Sequence, residues 1–430
     1  MILTDCTYLN PQMEWEKGHI SIQNGIIQSI SNENSFQVSP KEECYSGTGK
    51  LLIPGLMNLH THIAMTLFRG FADDLPLHEW LTTKIFPIEA KLTPEAVYYG
   101  SLLGIAECIR SGCTFFNDMY FFTEETIKAV ELSGIRALLS PGMMDTAGEE
   151  KIQTVLSMHR EYHGAANGRV SIFFGPHAPY TCNLSFLKNI ADVAQKNGIG
   201  IHIHLNETEK EVHDFQKEHH GALPIIEIAQ TGLFHNPTIA AHCVHVSEEE
   251  QQVLLNHNVL VVNIPASNLK LSSGIAPIQS YLEKGIPVAI GTDGASSNNQ
   301  LNMMLEMRLS SLLGKVVPSK NPKAIDGKTT FSMATKIPGQ WLFPNEAGTI
   351  QEGAFADLVF LSMNHPSSTP CFHPISNIVY ASNGSEVESV IVQGKFVMKD
   401  RIITTFDEKH VLQKVNEIVY KLTGKRSYSA

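Results

Sequence analysis

Apolar and polar positions alternate in two distinct rhythms along this chain. Near the start the period is two: Ile20-Ser21-Ile22-Gln23, then Asn24-Gly25, then Ile26-Ile27-Gln28-Ser29-Ile30. Residues two apart share one face of a strand, and Asn-Gly supplies the positive backbone angles of a tight hairpin turn. Residues 1–52 therefore read as short strands and turns. The far end has the same character, with Ala356-Asp357-Leu358-Val359-Phe360 and Val390-Ile391-Val392-Gln393-Gly394-Lys395-Phe396-Val397, Gly394 marking a turn. Two β-rich ends around a different middle predict one small β-sandwich built from both termini, residues 1–52 and 346–430, the latter closing with a helix.

The middle, residues 53–345, repeats an apolar run followed by a helical pattern. Strands are predicted at 52–60, 113–119, 136–141, 170–175, 200–205, 238–242, 259–264 and 288–291. Helices are predicted between them, at 94–110, 124–133, 184–197 and 248–256 among others. Strands that alternate with helices pair in parallel, and eight such units closing on themselves make a (β/α)8 TIM barrel. The span 52–317 is near the ~250 residues usual for that fold. A doubly wound open sheet is the rival architecture. It lacks a GxGxxG turn after the first strand, and the polar residues gather at several different strand ends.

Composition then excludes several function classes. Of 430 residues 43% are hydrophobic and 17% charged, values of an ordinary globular protein. The net charge of −11 argues against a nucleic-acid partner, which needs clustered Lys and Arg. No apolar run reaches the roughly 18–20 residues of a membrane span, so no membrane partner is expected. Seven scattered cysteines without a CxxC pair read as reduced thiols. Met1-Ile2-Leu3-Thr4-Asp5 meets an acidic residue at once and has no basic opening, so no secretory signal is expected and the location is cytoplasmic. Histidine is abundant, with 19 copies; His159, His163, His219 and His220 lie in polar helical stretches and are expected in solvent.

The remaining histidines carry the candidate chemistry. His60 and His62 stand two apart at the end of the first barrel strand, so both rings can reach one ion. His202 and His204 repeat the spacing on the fifth. His204 is nearer the C-terminal end, where barrel sites form, and is the candidate ligand; His202 reads as a core histidine. Asp293 ends the apolar run Val288-Ala289-Ile290-Gly291. Alone it could be a helix cap. Three imidazoles and one carboxylate on a common rim form a set that zinc or another borderline divalent metal accepts, with a position left for water.

Longer stretches carry a family resemblance: residues 54–62 (Pro-Gly-Leu-Met-Asn-Leu-His-Thr-His), Glu79-Trp80-Leu81 with Pro87-Ile88-Glu89, and Gly175-Pro176-His177-Ala178-Pro179-Tyr180. They continue in residues 204–208, Ala241-His242-Cys243-Val244-His245, Asn263-Ile264-Pro265-Ala266-Ser267-Asn268 and Gly291-Thr292-Asp293-Gly294. Through these the chain resembles the amidohydrolase superfamily along almost its whole length, and most of all its methylthioadenosine/S-adenosylhomocysteine deaminase group, itself related to triazine hydrolases. The resemblance implies one divalent metal, zinc first with iron or manganese as alternatives, held by His60, His62, His204 and Asp293. No lysine in 170–176 is placed for a carbamylated bridge to a second ion. The implied reaction is hydrolytic deamination of a nucleoside. Asp293 takes the water proton, His242 aligns the water, and Glu207 protonates the purine nitrogen beside the attacked carbon. Trp80, Glu89 and His177 are implied to bind the substrate, Glu89 at the ribose hydroxyls. The cytidine-deaminase zinc pattern, HxE with PCxxC, is absent.

One departure bears on the substrate. Relatives that take S-adenosylhomocysteine can carry an arginine just after the third strand, whereas residues 139–145 read Leu-Ser-Pro-Gly-Met-Met-Asp. None of these forms a bidentate carboxylate clamp. Arg136 sits at the wrong end of its strand, and Lys151 or Arg69 are the only evident substitutes. Adenosine-type nucleosides with a small or apolar 5′ group are therefore expected, with Met143 and Met144 as lining. Guanine, pterin or triazine hydrolysis is the rival activity, and a catalytically inert scaffold the remote one. A homo-oligomeric state is left open.

Overall fold

Gly55 divides the first long apolar run and separates the two parts of the fold. A Cβ there would meet Thr114 Oγ1 at 2.0 Å, so only glycine lets the chain cross this point. The computed structural model describes residues 1–31, 43–317 and 320–425. Before Gly55 come strands β1 (Ile2–Leu9), β2 (Trp15–Gln23), β3 (Ile26–Ser31), β4 (Cys44–Ser46) and β5 (Lys50–Pro54). After it, in the middle of the chain, come β6 (Leu56–Thr61), β7 (Cys113–Asp118), β8 (Arg136–Leu139), β9 (Gly142–Met143) and β10 (Val170–Ile172). These are followed by β11 (Gly175–Pro176), β12 (Ile201–Leu205), β13 (Thr238–His242), β14 (Leu260–Asn263) and β15 (Val288–Ile290). The C-terminal part adds β16 (Leu358–Ser362), β17 (Val387–Val392), β18 (Lys395–Lys399) and β19 (Ile402–Ile403). The strand expected at 52–60 is thus two strands in two different sheets.

Both ends of the chain build one nine-stranded sheet, in the order β19-β18-β17-β16-β5-β1-β2-β3 with β4 beside β1. Antiparallel pairing of β5 with β16, Pro54 opposite Leu358, is the seam between the two ends. The Asn24-Gly25 turn takes φ of 53° and 80°, the positive pair that a two-residue hairpin between β2 and β3 requires. Leu3, Ile20, Ile27, Leu52, Leu358 and Phe360 form the buried core of this sheet. Fixing strands from distant ends of the sequence in one core makes them a single unit.

In the middle of the chain β6, β7, β8 and β10 pair in parallel, as do β12, β13, β14 and β15. A parallel bridge from Phe174 to Ile201 continues the pairing between the two groups. On the other side, the amides of Thr292 and Asp293, just past β15, both donate to the His60 carbonyl on β6 at 3.0 Å. The strands expected at 136–141 and 170–175 end early, at Leu139 and Ile172. Their continuations form the short β9–β11 pair, Met143 opposite Pro176. Apart from Ser171 the eight main strands are buried throughout, which is why they read as unbroken apolar runs.

Local chemistry sets the helices between them. Thr93 and Asn183 accept from Ala96 and Phe186 amides and start Pro94–Arg110 and Leu184–Asn197. Ser247 and Glu250 form a reciprocal capping box for Glu248–Asn256. Gly198, at φ 67°, ends the second of these helices. His159 and His163 are not simply solvated: the His159 ring meets the Ile172 carbonyl and the Ile172 amide donates to His163 Nδ1. Arg136 faces the terminal sheet, bonding Asp357 at 3.0 Å with its guanidinium over Phe355. The terminal helix Glu408–Thr423 is tied to the helix Pro94–Arg110 through Arg110 and Glu408. Among the described residues no helix is long and apolar enough to cross a membrane.

Candidate active site

Strand β6 ends at Thr61, so His60 lies on it and His62 is the first residue beyond. Both rings still turn to one carboxylate: His60 Nε2 and His62 Nε2 lie 3.4 and 3.2 Å from Asp293 Oδ1. His204, on β12, places Nε2 3.4 Å from His62 Nε2. The donor atoms of His60, His62 and His204 lie within 4.8 Å of one another, as do those of His60, His242 and Asp293. Residues from β6, β12, β13 and the loop after β15 thus converge at one rim.

The other ring nitrogens are tied outward. His62 Nδ1 meets the Met119 carbonyl at 2.5 Å and His204 Nδ1 the His177 carbonyl at 2.6 Å. A carbonyl only accepts, so Nδ1 carries hydrogen and, in the neutral ring, Nε2 turns a lone pair inward. His60 Nδ1 lies 2.8 Å from His202 Nε2. His202 is buried, as expected, but it is a partner of His60, and its own Nδ1 has no hydrogen-bond partner among the described residues. Asp293 Oδ2 accepts the Ser267 and Ser297 hydroxyls, both at 2.7 Å, which leaves Oδ1 to face the rings. His60 Nε2 is buried without an aligned hydrogen-bond partner. A fully buried imidazole nitrogen left open among three other donors is what a divalent cation would satisfy, so this set fits a metal.

Electrostatics agree. Burial drives His60 down to about 4, because the pull of Asp293 does not offset it. Burial also opposes charge on His62, but there Asp293 and the Met119 carbonyl outweigh it and lift the ring to about 9. Asp293 stays well below the usual carboxylate range despite its burial, held there by the two imidazoles. Without a metal, a proton on His62 balances the aspartate. His242 and Asp293 have φ of 70° and 61°, a strained region for non-glycine residues that here re-aims side chains at strand ends.

Beside this centre, His242 Nδ1 lies 2.8 Å from Asn268 Oδ1 and its Nε2 lies 3.7 Å from Glu207 Oε2. Glu207 is buried, two residues ahead of the helix Glu209–Glu218. Its Oε1 accepts from Ser273 at 3.2 Å. Burial raises its carboxyl, the His242 charge opposes this and the Asp293 charge adds to it. A buried carboxyl raised in this way can hold and deliver a proton.

A cavity opens over these groups, lined by His62, Trp80, Glu89, Met143, Met144, His177, His204, Glu207, His242 and Asp293 among others. Trp80 is fixed by its indole N–H donating to the Ala72 carbonyl at 3.0 Å, so it is at once a core anchor and a wall. Burial pushes the Glu89 carboxyl up to about 7 against the pull of the Tyr120 hydroxyl, and holds His177 down at about 3. Arg69 does not face this cavity: it pairs with Glu107. Neither does Lys151, and no lysine or arginine is among the described lining residues. The supporting Ser267, Ser297, Asn268 and Ser273 had no role assigned from sequence. Two of them lie in the quoted stretch Asn263–Asn268, whose polar residues beside a proline were the available signal.

The chain belongs to the amidohydrolase family, whose sequence profile matches residues 51–397. It is similar to a 5-methylthioadenosine/S-adenosylhomocysteine deaminase of Syntrophomonas wolfei, 44% identical across 95% of each chain. A 5'-deoxyadenosine deaminase of Methanothermobacter thermautotrophicus is 42% identical, again across 95% of each. Among solved structures, an adenosine deaminase from Xanthomonas campestris with bound zinc superposes with a TM-score of 0.94 at 30% identity, covering 99% of this chain and 98% of its own.

Proposed function

We propose that this protein is a metal-dependent deaminase that hydrolyses the 6-amino group of an adenosine-type nucleoside, releasing ammonia and the inosine analogue. The observation that carries this reading is the convergence of His60, His62, His204 and Asp293 beneath an apolar cavity, with His242 and Glu207 beside them. The two curated relatives named above are deaminases of adenosine analogues, which supports the same substrate class. On this reading the eight parallel strands close as a (β/α)8 barrel over residues 53–345, and residues 1–52 and 346–430 form the small β domain, which holds one nine-stranded sheet where the sequence predicted a sandwich. One metal is held, zinc ahead of iron or manganese, in a cytoplasmic enzyme.

A divalent cation held by His60, His62, His204 and Asp293 would supply Lewis acidity that lowers the pKa of water towards ~7. The residues do the rest. Asp293 Oδ1 takes the water proton, its Oδ2 being occupied by the two serine hydroxyls. His242, its Nδ1 fixed by Asn268, directs Nε2 at the attacking water. Glu207 gives its proton to the ring nitrogen beside the attacked carbon; the amino group then takes the proton held by Asp293 and departs as ammonia, while Glu207 recovers the proton of the added hydroxyl as it becomes the carbonyl. Trp80 stacks beside the purine, His177 contacts the ring as a neutral imidazole, and Glu89 accepts the ribose hydroxyls. A cavity without lysine or arginine, walled by Leu77, Phe86, Phe121, Met143 and Met144, favours an apolar 5′ group over an amino-acid carboxylate.

The test is a panel of adenosine, methylthioadenosine, 5′-deoxyadenosine, S-adenosylhomocysteine, guanine, a pterin and a chlorotriazine, followed by ammonia release and ultraviolet change. Methylthioadenosine and 5′-deoxyadenosine should have the highest kcat/KM, with S-adenosylhomocysteine below them. Turnover confined to guanine, pterin or triazine would overturn the proposal. Glu89→Ala should reduce the preference for adenosine over free adenine by about tenfold or more, the effect of losing a charged hydrogen-bond acceptor. An unchanged ratio removes Glu89 from the ribose site.

A further inference from the structure

Glu306 is a fully buried carboxyl for which the proposed chemistry has no use. It lies in the first turn of the helix Met303–Val316, 1% exposed. One oxygen, Oε1, accepts from Asn298 Nδ2 at 2.8 Å; the other, Oε2, accepts from the Ala266 amide at 3.2 Å. These two donors belong to two different loops of the candidate site.

Ala266 opens the short helix Pro265–Lys270, where its amide has no partner within the helix. The next two residues make the contacts that matter: Ser267 donates to Asp293 Oδ2, and Asn268 holds His242 Nδ1. Asn298 belongs to the turn after β15. Its side chain also donates to the Thr292 carbonyl at 2.7 Å, and its amide to Gly294 at 3.1 Å. Beside it in that turn, Ser297 donates to Asp293 Oδ2. The two hydroxyls on Asp293 Oδ2 and the oxygen on His242 Nδ1 therefore hang from the two segments that Glu306 joins. Burial, with the Asp293 charge adding to it, pushes the Glu306 carboxyl up to about 8 against its two hydrogen bonds. An uncharged acid can sit behind Asp293 without repelling it.

We propose that Glu306 is a positioning residue: it clamps the loop carrying Ser267 and Asn268 to the turn carrying Asp293, and so fixes the geometry of Asp293 and His242 relative to each other. This rests on the deaminase reading for its kinetic consequence. A hydrophobic side chain of similar length fills the space but accepts neither hydrogen bond. Glutamine keeps one acceptor and sets its amide hydrogens against the other donor.

The test compares Glu306→Met and Glu306→Gln in the zinc-loaded protein with methylthioadenosine. Outer partners of a metal site are worth about 10–100-fold, so Glu306→Met should lower kcat by that range while KM moves less than about threefold, with Gln between Met and wild type. Because Glu306 acts in part through Asn268, the Met substitution should cost clearly less in an Asn268→Ala background than in wild type. Unchanged kcat in the folded variants, or full additivity with Asn268→Ala, overturns the clamp; if the Met variant does not fold, Glu306→Gln alone and with Asn268→Ala decides on the same criteria. Amide hydrogen exchange over residues 265–271 of the metal-free protein gives a readout independent of turnover. Faster exchange in the Gln variant is expected, and wild-type protection overturns the proposal. Failure of wild type to deaminate any nucleoside would sink the functional reading and leave the exchange result to judge the clamp.

Discussion

Asp293→Asn is expected to lose bound zinc on dialysis and to lower kcat/KM by roughly 10⁴-fold, the upper end for an acid–base group. The amide keeps the size of the side chain and one oxygen, so packing around Ser267 and Ser297 survives. It removes the negative charge that both imidazoles face and the group that receives the water proton. Elemental analysis and steady-state kinetics measure the two effects separately. A variant that keeps one equivalent of zinc and loses less than tenfold in rate would take Asp293 out of the centre. The same carboxylate predicts the pH dependence of metal uptake. In the metal-free protein His62 is raised from 6.5 to about 9, so its pairing with Asp293 contributes fully below pH 6.5 and is lost as pH climbs through about 9. A cation must displace that proton. Zinc affinity should therefore rise with pH across this window, with about one proton released per metal bound near neutrality. Calorimetry in buffers of different ionisation enthalpy reads that proton, and the asparagine variant should lack most of it.

Glu207→Gln should behave differently: zinc stays and the rate falls by roughly 10²–10⁴-fold. Glutamine can still accept from Ser273, so the loop after β12 keeps its place. What it lacks is a proton that can be given to the purine ring. Because burial raises the Glu207 carboxyl above its ordinary value, its donating form extends to higher pH, and wild-type activity should fall as pH rises past that raised pKa. The glutamine variant should lose this alkaline limb along with the rate. Full activity in Glu207→Gln, measured with zinc content unchanged, would assign the proton transfer elsewhere.

Legibility of the fold followed the range of the forces involved. The helices Pro94–Arg110, Leu184–Asn197 and Glu248–Asn256 begin and end where sequence placed them, because their caps lie within three or four residues of the ends. The strand expected at 52–60 breaks at Gly55, because the reason for the break is Thr114, nearly sixty residues away. The strands ending at Leu139 and Ile172 were overextended for a similar reason. Phe173 and Phe174 are as apolar as the strand before them, and the β9–β11 pairing re-routes both segments. Among the site residues, His60, His62, His204, His242, Glu207 and Asp293 stood out as reactive groups at strand ends. Their helpers did not. Ser267, Ser297 and Asn268 are common polar residues whose roles depend on partners 4 to 26 positions away.

By itself the sequence determined the alternation of strand and helix, the hairpin at Asn24-Gly25 and the set of imidazoles and carboxylates available for chemistry. All of these depend on residue type and short spacing, which a linear chain carries directly. Only the tertiary structure decided that both ends share one nine-stranded sheet, that His202 supports His60, and that Glu306 lies behind Asp293. It also decided the left-handed turns at His242 and Asp293 that bring the two together. These features arise where segments 40 to 350 residues apart come into contact. Such contacts depend on packing and on satisfying buried polar groups, and no local pattern records them.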